Sequence, residues 1–405
     1  MKVLYLNLYS DLGGGEFSLL HLARLLDRKI KPLFLFARPG SFSRRLDAMG
    51  VETMVLGYEP AMVSRLLLPT LLFRNLRAGF ALARLIRVRQ IDLVHCTDLF
   101  SLLLLLPAFL KTRIPIVYNV IMFYNRPQSR LFRLLSAIMI KRIVAPSQAI
   151  RNDLINRGGI NPERIEVLYN GVDNVAFTPA SPEKKARVRE ELGIPRDRKV
   201  VGFAGRYEVW KGHKTFLDAI TLLVNSKIQF PITNHQLTNH QLTSHQFLLA
   251  GGSPTEDVVR GVTRYRKGLE PMFRTLEERG MVRRLGHRDD MAEFYAALDL
   301  FICPSDEEAF GLVVLEAFAA GLPIVVTRTT GAVELIGSTK GVYLVEPKNP
   351  GALAEAIQNA LQKGSGEVDL EERRKILADC TWEKYARNWE AVYEVGMGRA
   401  KGRDE

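Results

Sequence analysis

Short β-rich segments alternate with helical patterns along the chain, and this alternation constrains the fold more than any other feature. The β-rich runs of the first half lie at residues 3–6, 33–36, 52–56, 93–96, 116–120 and 143–145. Those of the second half lie at residues 200–203, 247–250, 300–303, 324–327 and 342–345. Strands joined by helices run parallel and are covered on both faces. The pattern therefore predicts an α/β fold with two doubly wound sheets.

Length and one change in composition divide these segments between two domains. At 405 residues the chain is too long for one ordinary core. Residues 179–185 are rich in Pro, Ser and charge, which indicates a linker. We predict a Rossmann-like domain over residues 1–178, a second over residues 179–380, and a helical tail over residues 381–405. If the two domains face each other across a cleft, the strand ends of both open into it.

A short repeat interrupts the second domain. The sequence NHQLT at residues 234–238 recurs at residues 239–243 and then decays. A five-residue period does not keep its histidines on one face of a helix or strand, so a metal site is disfavoured. We predict a low-complexity surface loop over residues 226–246.

Cysteine spacing and hydropathy argue against a disulfide-stabilised secreted protein and against a membrane-spanning protein. Cys96, Cys303 and Cys380 are widely spaced, which indicates reduced thiols and no disulfide framework. The N-terminus lacks a secretory pattern. The longest apolar run, residues 99–110, is shorter than the roughly 20 residues that span a membrane, so it predicts a core helix. We therefore predict a cytoplasmic protein.

The excess of positive charge lies entirely in residues 1–180. Residues 1–180 contain 24 Lys and Arg but only 12 Asp and Glu. The whole chain has 56 Lys and Arg and 44 Asp and Glu, so the remaining residues contain 32 of each charge. Many of these basic residues alternate with apolar ones: Arg65, Arg74, Arg77, Arg84, Arg87, Arg89, Arg126, Arg130, Arg133, Lys141 and Arg142. Such stretches favour an anionic membrane surface at the inner face of the membrane, or an anionic acceptor. A solvated arginine face on packed helices explains them equally well, and no nucleic-acid-binding motif accompanies them.

Two glutamates mark the most informative segment of the second half. Glu308 and Glu316 are separated by seven residues, at the point where a strand turns into an apolar helix. Two carboxylates placed in this way can hold two hydroxylated parts of a ligand. Between them, Phe310, Gly311 and Leu312 are expected to present backbone amides that attract phosphate. The combination indicates a nucleotide sugar, although Glu316 alone would also fit a solvated helix position.

A second segment offers positive charge for the same ligand. Residues 202–212, GFAGRYEVWKG, predict a strand, a glycine turn and a new helix. Arg206 offers a planar fork of donors and Lys211 a point charge, and both suit a pyrophosphate.

Residues 304–323, PSDEEAFGLVVLEAFAAGLP, closely resemble the donor-site segment of the retaining GT-B glycosyltransferases of family 4. Residues 205–212 resemble the same family's Gly-Arg-x4-Lys-Gly element. The resemblance implies a GT-B fold whose C-terminal helix returns to the first domain. It also implies that Glu308 contacts the donor sugar and Glu316 the nucleotide ribose. Catalytic roles would then fall to Glu308, Arg206 and Lys211.

Weaker segments fit the same family. Gly13 and Gly14 open an amphipathic helix after the first strand, and a glycine turn permits close approach of phosphate. Gly286 and His287 resemble the loop that lines the base pocket. The resemblance thus implies transfer of a hexose from a UDP- or GDP-sugar, with retention, to a glycan or lipid-linked acceptor in polysaccharide, lipopolysaccharide or glycolipid biosynthesis. No cofactor is implied. Because no two aspartates are spaced as Asp-x-Asp, a metal-independent site is expected.

The chain departs from the family in the first domain. Many members carry a His-Asp pair after the strand that corresponds to residues 116–120, whereas this chain has Ile121 and Met122. Asn119 and Asn125 are the polar residues nearby. The departure keeps a non-catalytic nucleotide-binding relative open as an alternative. A non-hydrolysing sugar nucleotide epimerase of the same fold is another, and the Glu pair disfavours it.

Overall fold

A computed structural model describes residues 1–57, 69–225, 245–252 and 260–398 of the chain. These residues form two compact units. The first unit comprises residues 1–171 together with the C-terminal segment from residue 380, and the second comprises residues 172–379. Arg65, most of the NHQLT repeat and residues 399–405 of the predicted tail lie outside the described residues.

The first unit is built on a parallel sheet of seven strands, in the order β3-β2-β1-β4-β5-β6-β7. Its strands are β1 (Lys2–Leu6), β2 (Lys31–Phe36), β3 (Glu52–Val55), β4 (Leu93–Cys96), β5 (Ile116–Asn119), β6 (Ile140–Ala145) and β7 (Ile165–Val167). Its helices are α1 (Gly14–Leu25), α2 (Ser41–Ala48), α3 (Pro69–Val88), α4 (Leu99–Thr112), α5 (Arg126–Met139) and α6 (Gln148–Asn156). The central strands are apolar and buried because helices cover both faces of the sheet.

The second unit repeats the plan with six parallel strands, in the order β10-β9-β8-β11-β12-β13. Its strands are β8 (Lys199–Ala204), β9 (His245–Ala250), β10 (Val282–Gly286), β11 (Leu300–Cys303), β12 (Ile324–Thr327) and β13 (Val342–Val345). Its helices are α7 (Pro182–Glu191), α8 (His213–Asn225), α9 (Arg260–Glu278), α10 (Met291–Ala297), α11 (Leu312–Ala319), α12 (Val333–Ile336), α13 (Pro350–Lys363) and α14 (Leu370–Ala378). The expected doubly wound α/β architecture is therefore present in both units.

The last helix, α15 (Trp382–Gly396), belongs to the first unit although it follows the second in sequence. Trp389 is fully buried. The hydroxyl of Tyr393 lies 2.7 Å from the hydroxyl of Tyr5 and 2.8 Å from Nδ1 of His95. These contacts fix the helix to β1 and β4. The return of the C-terminal helix to the first domain, implied by the resemblance, is thus observed.

The structure changes several sequence-based boundaries. The first unit ends at residue 171, so residues 172–178 belong to the second unit and not to the first as predicted. Most of the predicted linker, residues 179–185, is helical, because α7 already begins at Pro182. The hydroxyl of Ser181 caps the N-terminus of this helix. Strand β9 begins at His245, inside the predicted loop 226–246, and residues 226–244 lie outside the described residues. Strands β7 and β10 were not predicted, because β7 has only three residues and β10 carries two adjacent arginines.

Candidate functional site

The strand order of the second sheet reverses between β8 and β11, which are hydrogen-bonded neighbours. Loops that follow the two strands at such a switch point diverge and leave a crevice for a ligand. Residues 205–212 follow β8 and residues 304–311 follow β11. The fold therefore places Arg206, Lys211 and Glu308 at one edge of the sheet.

The two loops pack closely because glycine stands at the point of contact. Gly212 has φ +76°, and a Cβ there would lie 1.9 Å from the carbonyl oxygen of Pro304. The amide of Asp306 donates a hydrogen bond of 2.7 Å to the carbonyl of Trp210. Only glycine combines this backbone conformation with this approach. The loop glycine of the Arg-x4-Lys-Gly element thus holds Lys211 against the β11 loop.

Lys211 and Glu308 form a direct ion pair, with Nζ bonded to the carboxylate. The side chains are 19% and 15% exposed, so both charges are largely removed from water. Burial works against the charge on Lys211, but the Glu308 carboxylate outweighs it and raises the pKa of the ammonium group. A charged ammonium group and a carboxylate therefore lie side by side at the crevice.

Gly311 shapes the turn between Glu308 and α11. Its φ is +93°, and a Cβ would lie 2.8 Å from Cγ2 of Thr330 and 3.2 Å from Cγ of Glu308. Gly311 caps α11 without a side chain, and the amides of Leu312 and Val313 have no acceptor in the part of the chain that the structure describes. Phe310 is buried, and its carbonyl accepts from the amide of Ala332 at 2.7 Å. Unsatisfied amides at a helix N-terminus attract an anion.

Glu316 is not a solvated helix residue. It is 8% exposed, and the hydroxyl of Tyr295 donates to its carboxylate at 2.8 Å. Burial raises the pKa of Glu316 to about 7, although the Tyr295 hydrogen bond works in the opposite direction. Sequence reasoning missed Tyr295 as a site residue. It lies in α10, and no local signal in the sequence of that helix singles out its hydroxyl.

The remaining predicted residues of the second unit line neighbouring strand ends. Arg206 is half exposed and pairs with Glu208 at 3.1 Å. Nδ1 of His287 donates to the carbonyl of Gly252 at 3.1 Å. Gly286 has φ +70°, and its carbonyl accepts from the amide of Gly251 at 2.8 Å. The ends of β9 and β10 are thereby tied together next to the β8 loop.

Gly13 and Gly14 belong to the first unit, so the second unit gathers the other predicted site residues without them. Gly13 precedes α1 in an extended conformation, and a Cβ at Gly14 would meet nothing within 4 Å. A Cβ at Gly15 would lie 3.4 Å from Cγ2 of Ile121. The apolar residue at the position of the expected histidine therefore packs beside the glycine turn.

Neither nearby asparagine offers a replacement for that histidine. The side chain of Asn125 accepts a hydrogen bond from the amide of Gln128 at 3.0 Å, which caps α5. Asn119 is buried, and its side chain lies near Tyr385 of α15.

The described residues contain neither a cluster of metal ligands nor a helix that could span a membrane. No three His, Cys, Asp or Glu side chains come together there as metal ligands would. None of the described helices combines the length and the apolar character needed to cross a bilayer, and the apolar run at residues 99–110 lies in the largely buried helix α4.

Two family models match the chain. Residues 12–174 match the model described as Glycosyltransferase Family 4, and residues 198–363 match the model described as glycosyl transferases group 1. The first match covers most of the first unit and ends three residues into the second, and the second match lies within the second unit.

Curated relatives carry names of the same kind. The chain is 28% identical over 263 residues to a D-inositol 3-phosphate glycosyltransferase of Corynebacterium kroppenstedtii, a match that covers 62% of this chain and 53% of the relative. It is 31% identical over 233 residues to the protein of that name from Corynebacterium urealyticum, with 57% of this chain and 51% of the relative covered. The match thus spans about half the length of these curated relatives.

Solved structures share the fold over nearly the whole chain. The Anabaena HepE protein in complex with UDP and glucose has a TM-score of 0.78 at 23% identity, with 97% of this chain and 99% of that chain covered. Sucrose-phosphate synthase of Thermosynechococcus elongatus has a TM-score of 0.76 at 18% identity, with coverages of 98% and 100%.

Proposed function

Since the chain belongs to the group 1 and family 4 glycosyltransferases and has the GT-B fold, we propose that it transfers a hexosyl group from a UDP- or GDP-sugar to an acceptor hydroxyl, with retention. The observation that carries this proposal is the convergence of Lys211, Glu308 and the open amides of α11 at one switch point. A cation and free amides suit a diphosphate, and a carboxylate suits sugar hydroxyls.

Each group has a distinct role in the proposed reaction. Negative charge develops on the diphosphate as it departs, and fixed donors aimed at that charge lower the barrier. Lys211, Arg206 and the amides of Gly311 and Leu312 are the donors. Glu308 orients hydroxyls of the donor sugar, and binding replaces part of its pairing with Lys211.

The nucleoside is held by other residues. Glu316 accepts from the ribose hydroxyls, while Gly286 and His287 face the base. The leaving phosphate takes the acceptor's proton. Lys211, Arg206 and the backbone amides stabilise the diphosphate charge, so we expect a reaction that needs neither a metal nor a cofactor.

The acceptor is proposed from charge. The excess of positive charge in residues 1–180 suits an anionic acceptor, and several curated relatives are named for a phosphorylated one. We place the reaction in the biosynthesis of a polysaccharide, a lipopolysaccharide or a glycolipid. The acceptor is lipid-linked or a glycan, and the protein works at the cytoplasmic face of the membrane.

Mass spectrometry tests the proposal directly. The purified chain is incubated with a panel of UDP- and GDP-sugars, first alone to detect a bound donor and then with lipid extracts and glycans to detect product and free nucleoside diphosphate. Lys211→Ala should lower kcat/KM at least about a hundredfold, since it removes one transition-state donor. Lys214→Ala is the matched control, because Lys214 is exposed and, among the residues that the structure describes, its ammonium group pairs with Asp218 on its own helix.

The packing of Ile121 beside Gly15 favours one alternative, a relative that binds a nucleotide sugar without transferring it. Donor binding that leaves both donor and acceptor unchanged across the whole panel would select this alternative. Conversion of the donor sugar without an acceptor would indicate an epimerase.

A further inference from the structure

Arg373 of α14 is a buried arginine without an ionic partner. The residue is 1% exposed, and no carboxylate forms an ion pair with it in the part of the chain that the structure describes. The adjacent Glu372 acts on it through its charge alone. Burial lowers the pKa of Arg373 to about 10, so the guanidinium group is still charged at neutral pH. A buried charge without a counter-ion is costly, and this cost requires an explanation.

The guanidinium group lies at the C-terminal end of α11. Its Nη1 donates hydrogen bonds to the carbonyl oxygens of Phe318 at 3.1 Å and of Leu322 at 2.8 Å. Phe318 belongs to the last turn of α11, and its ring centroid lies 4.3 Å from Cζ of Arg373. Nε and Nη2 of Arg373 have no hydrogen-bond partner among the described residues. Arg373 therefore places a full positive charge at the negative end of this helix dipole.

The opposite end of α11 faces the donor site. Gly311 precedes the helix there, and the amides of Leu312 and Val313 have no acceptor within the described ranges. Eight residues at 1.5 Å each make the helix about 12 Å long. A cation at this distance, shielded from water by burial, adds positive potential at the open amides. The arginine and the amides therefore attract the same anion.

We propose that Arg373 is a positioning residue for the diphosphate of the donor and acts on it through α11. It holds the C-terminal end of the helix and strengthens the attraction of the N-terminal amides for phosphate. This role rests on the proposed function and deepens it, because it assigns part of the donor affinity to a residue outside the crevice.

Capping of the helix alone does not account for the charge. The carbonyl oxygen of Phe318 already accepts from the amide of Gly321 at 3.1 Å, and an uncharged donor would serve the carbonyl oxygen of Leu322. Replacement of buried ions by packed apolar side chains is often neutral or stabilising. An anion bound at the other end of the helix gives the charge a function that a neutral side chain cannot supply.

Two neutral substitutions and one that keeps the charge test this role. Arg373→Gln keeps a hydrogen-bond donor, Arg373→Met keeps an apolar stem, and Arg373→Lys keeps the charge. Calorimetric titration with UDP-glucose and with GDP-mannose measures the donor affinity. Over about 12 Å, at an effective dielectric constant of about 20, the loss of one charge weakens the binding of a singly charged anion about tenfold. We therefore expect a loss of about tenfold in both neutral variants and of less than about threefold in Arg373→Lys.

Ligands without phosphate separate this role from a general loosening of the site. Uridine and guanosine keep the base and the ribose, and ligand-observed NMR measures their weak binding. Their affinity should change less than about twofold in every Arg373 variant, because they carry no charge for the arginine to act on. Arg374→Gln is the matched control, since Arg374 is the next residue of the same helix but is exposed. This variant should bind every ligand as wild type does, because water screens its charge.

The results separate the role of Arg373 from the proposed function. Neutral variants that bind the nucleotide sugars as tightly as wild type, or that lose nucleoside affinity to the same extent, would overturn this role alone. Failure of both neutral variants to unfold cooperatively on heating would overturn it too, because the arginine would then be needed for the fold itself. A wild type that binds no nucleotide sugar would overturn the proposed function and the role of Arg373 with it. Donor binding in the expected order without transfer to an acceptor would support Arg373 and count against the transfer.

Discussion

In the proposed site, the buried carboxyl group of Glu316 should make the affinity for a nucleotide sugar depend on pH. Burial raises its pKa from 4.5 to about 7. In the proposed site the ionised carboxylate accepts from the ribose hydroxyls, while the neutral acid has lost much of that capacity. Lowering the pH from 8 to 6 should therefore weaken donor binding.

The size of the effect follows from this pKa. About nine-tenths of Glu316 is ionised at pH 8 and about one-tenth at pH 6, so the affinity should fall about tenfold. In free energy this fall is about 1.4 kcal/mol.

Isothermal titration with UDP-glucose measures this change. UDP itself is unsuitable, because its terminal phosphate titrates near pH 6 and would add a pH dependence of its own. Glu316→Gln is the control, since glutamine keeps the acceptor for Tyr295 but does not ionise. Its affinity should be lower at pH 8 and nearly flat from pH 6 to 8.

Stability gives a second reading on the same group. A raised folded-state pKa contributes stability below the unfolded value of 4.5, and that stability is lost as the pH rises through 7. The Glu316→Gln variant has no carboxyl group to ionise and does not lose this stability. The difference between its unfolding free energy and that of the wild type should therefore increase with pH, by up to about 3 kcal/mol in favour of the variant. A wild-type affinity that stays constant from pH 6 to 8, or a glutamine variant with the same pH profile, would refute the reasoning.

Three further predictions follow from single contacts. Tyr295→Phe removes a hydrogen bond that lowers the carboxyl pKa, so the midpoint of the affinity curve against pH should move upward; an unchanged midpoint would contradict this role. Gly311→Ala forces a Cβ to 2.8 Å from Thr330 at φ +93°, and its unfolding free energy in denaturant should fall by about 1–3 kcal/mol, whereas an equally stable variant would show that the turn relaxes. Tyr393→Phe removes a buried hydroxyl bonded to two partners, which should cost about 1–3 kcal/mol in the same assay; a loss below about 0.5 kcal/mol would mean that this network does not hold α15.

The alternation of strands and helices could be predicted from sequence because the central strands consist mostly of apolar residues. Strands such as Ile324–Thr327 are buried on both faces, and strands buried in this way are rich in β-branched apolar residues that can be recognised in the sequence. Strand β10 was not predicted because it contains two arginines and is only partly buried, so it lacks an apolar run. The unit boundary was misplaced because the Pro- and Lys-rich stretch that suggested a linker is a capped helix, and composition alone does not separate these cases.

Residue types that suit a nucleotide sugar were likewise visible, but their environments were not. Glu308 and Glu316 are the same residue type in the sequence. In the structure, Glu308 forms an ion pair with a lysine, whereas Glu316 is buried and hydrogen-bonded to a tyrosine from a different helix. Their distinct surroundings arise from residues far away in the chain, since Lys211 lies 97 positions before Glu308. A pKa depends on burial and neighbouring charge, which are properties of the folded chain.

The sequence by itself determined the class of fold, the two domains and the chemistry on offer at the strand ends, because apolar periodicity and glycine placement act locally. Only the tertiary structure decided which charges meet, where the unit boundary falls and which helix end Arg373 contacts. Those outcomes depend on packing between elements distant in sequence, which no local pattern records.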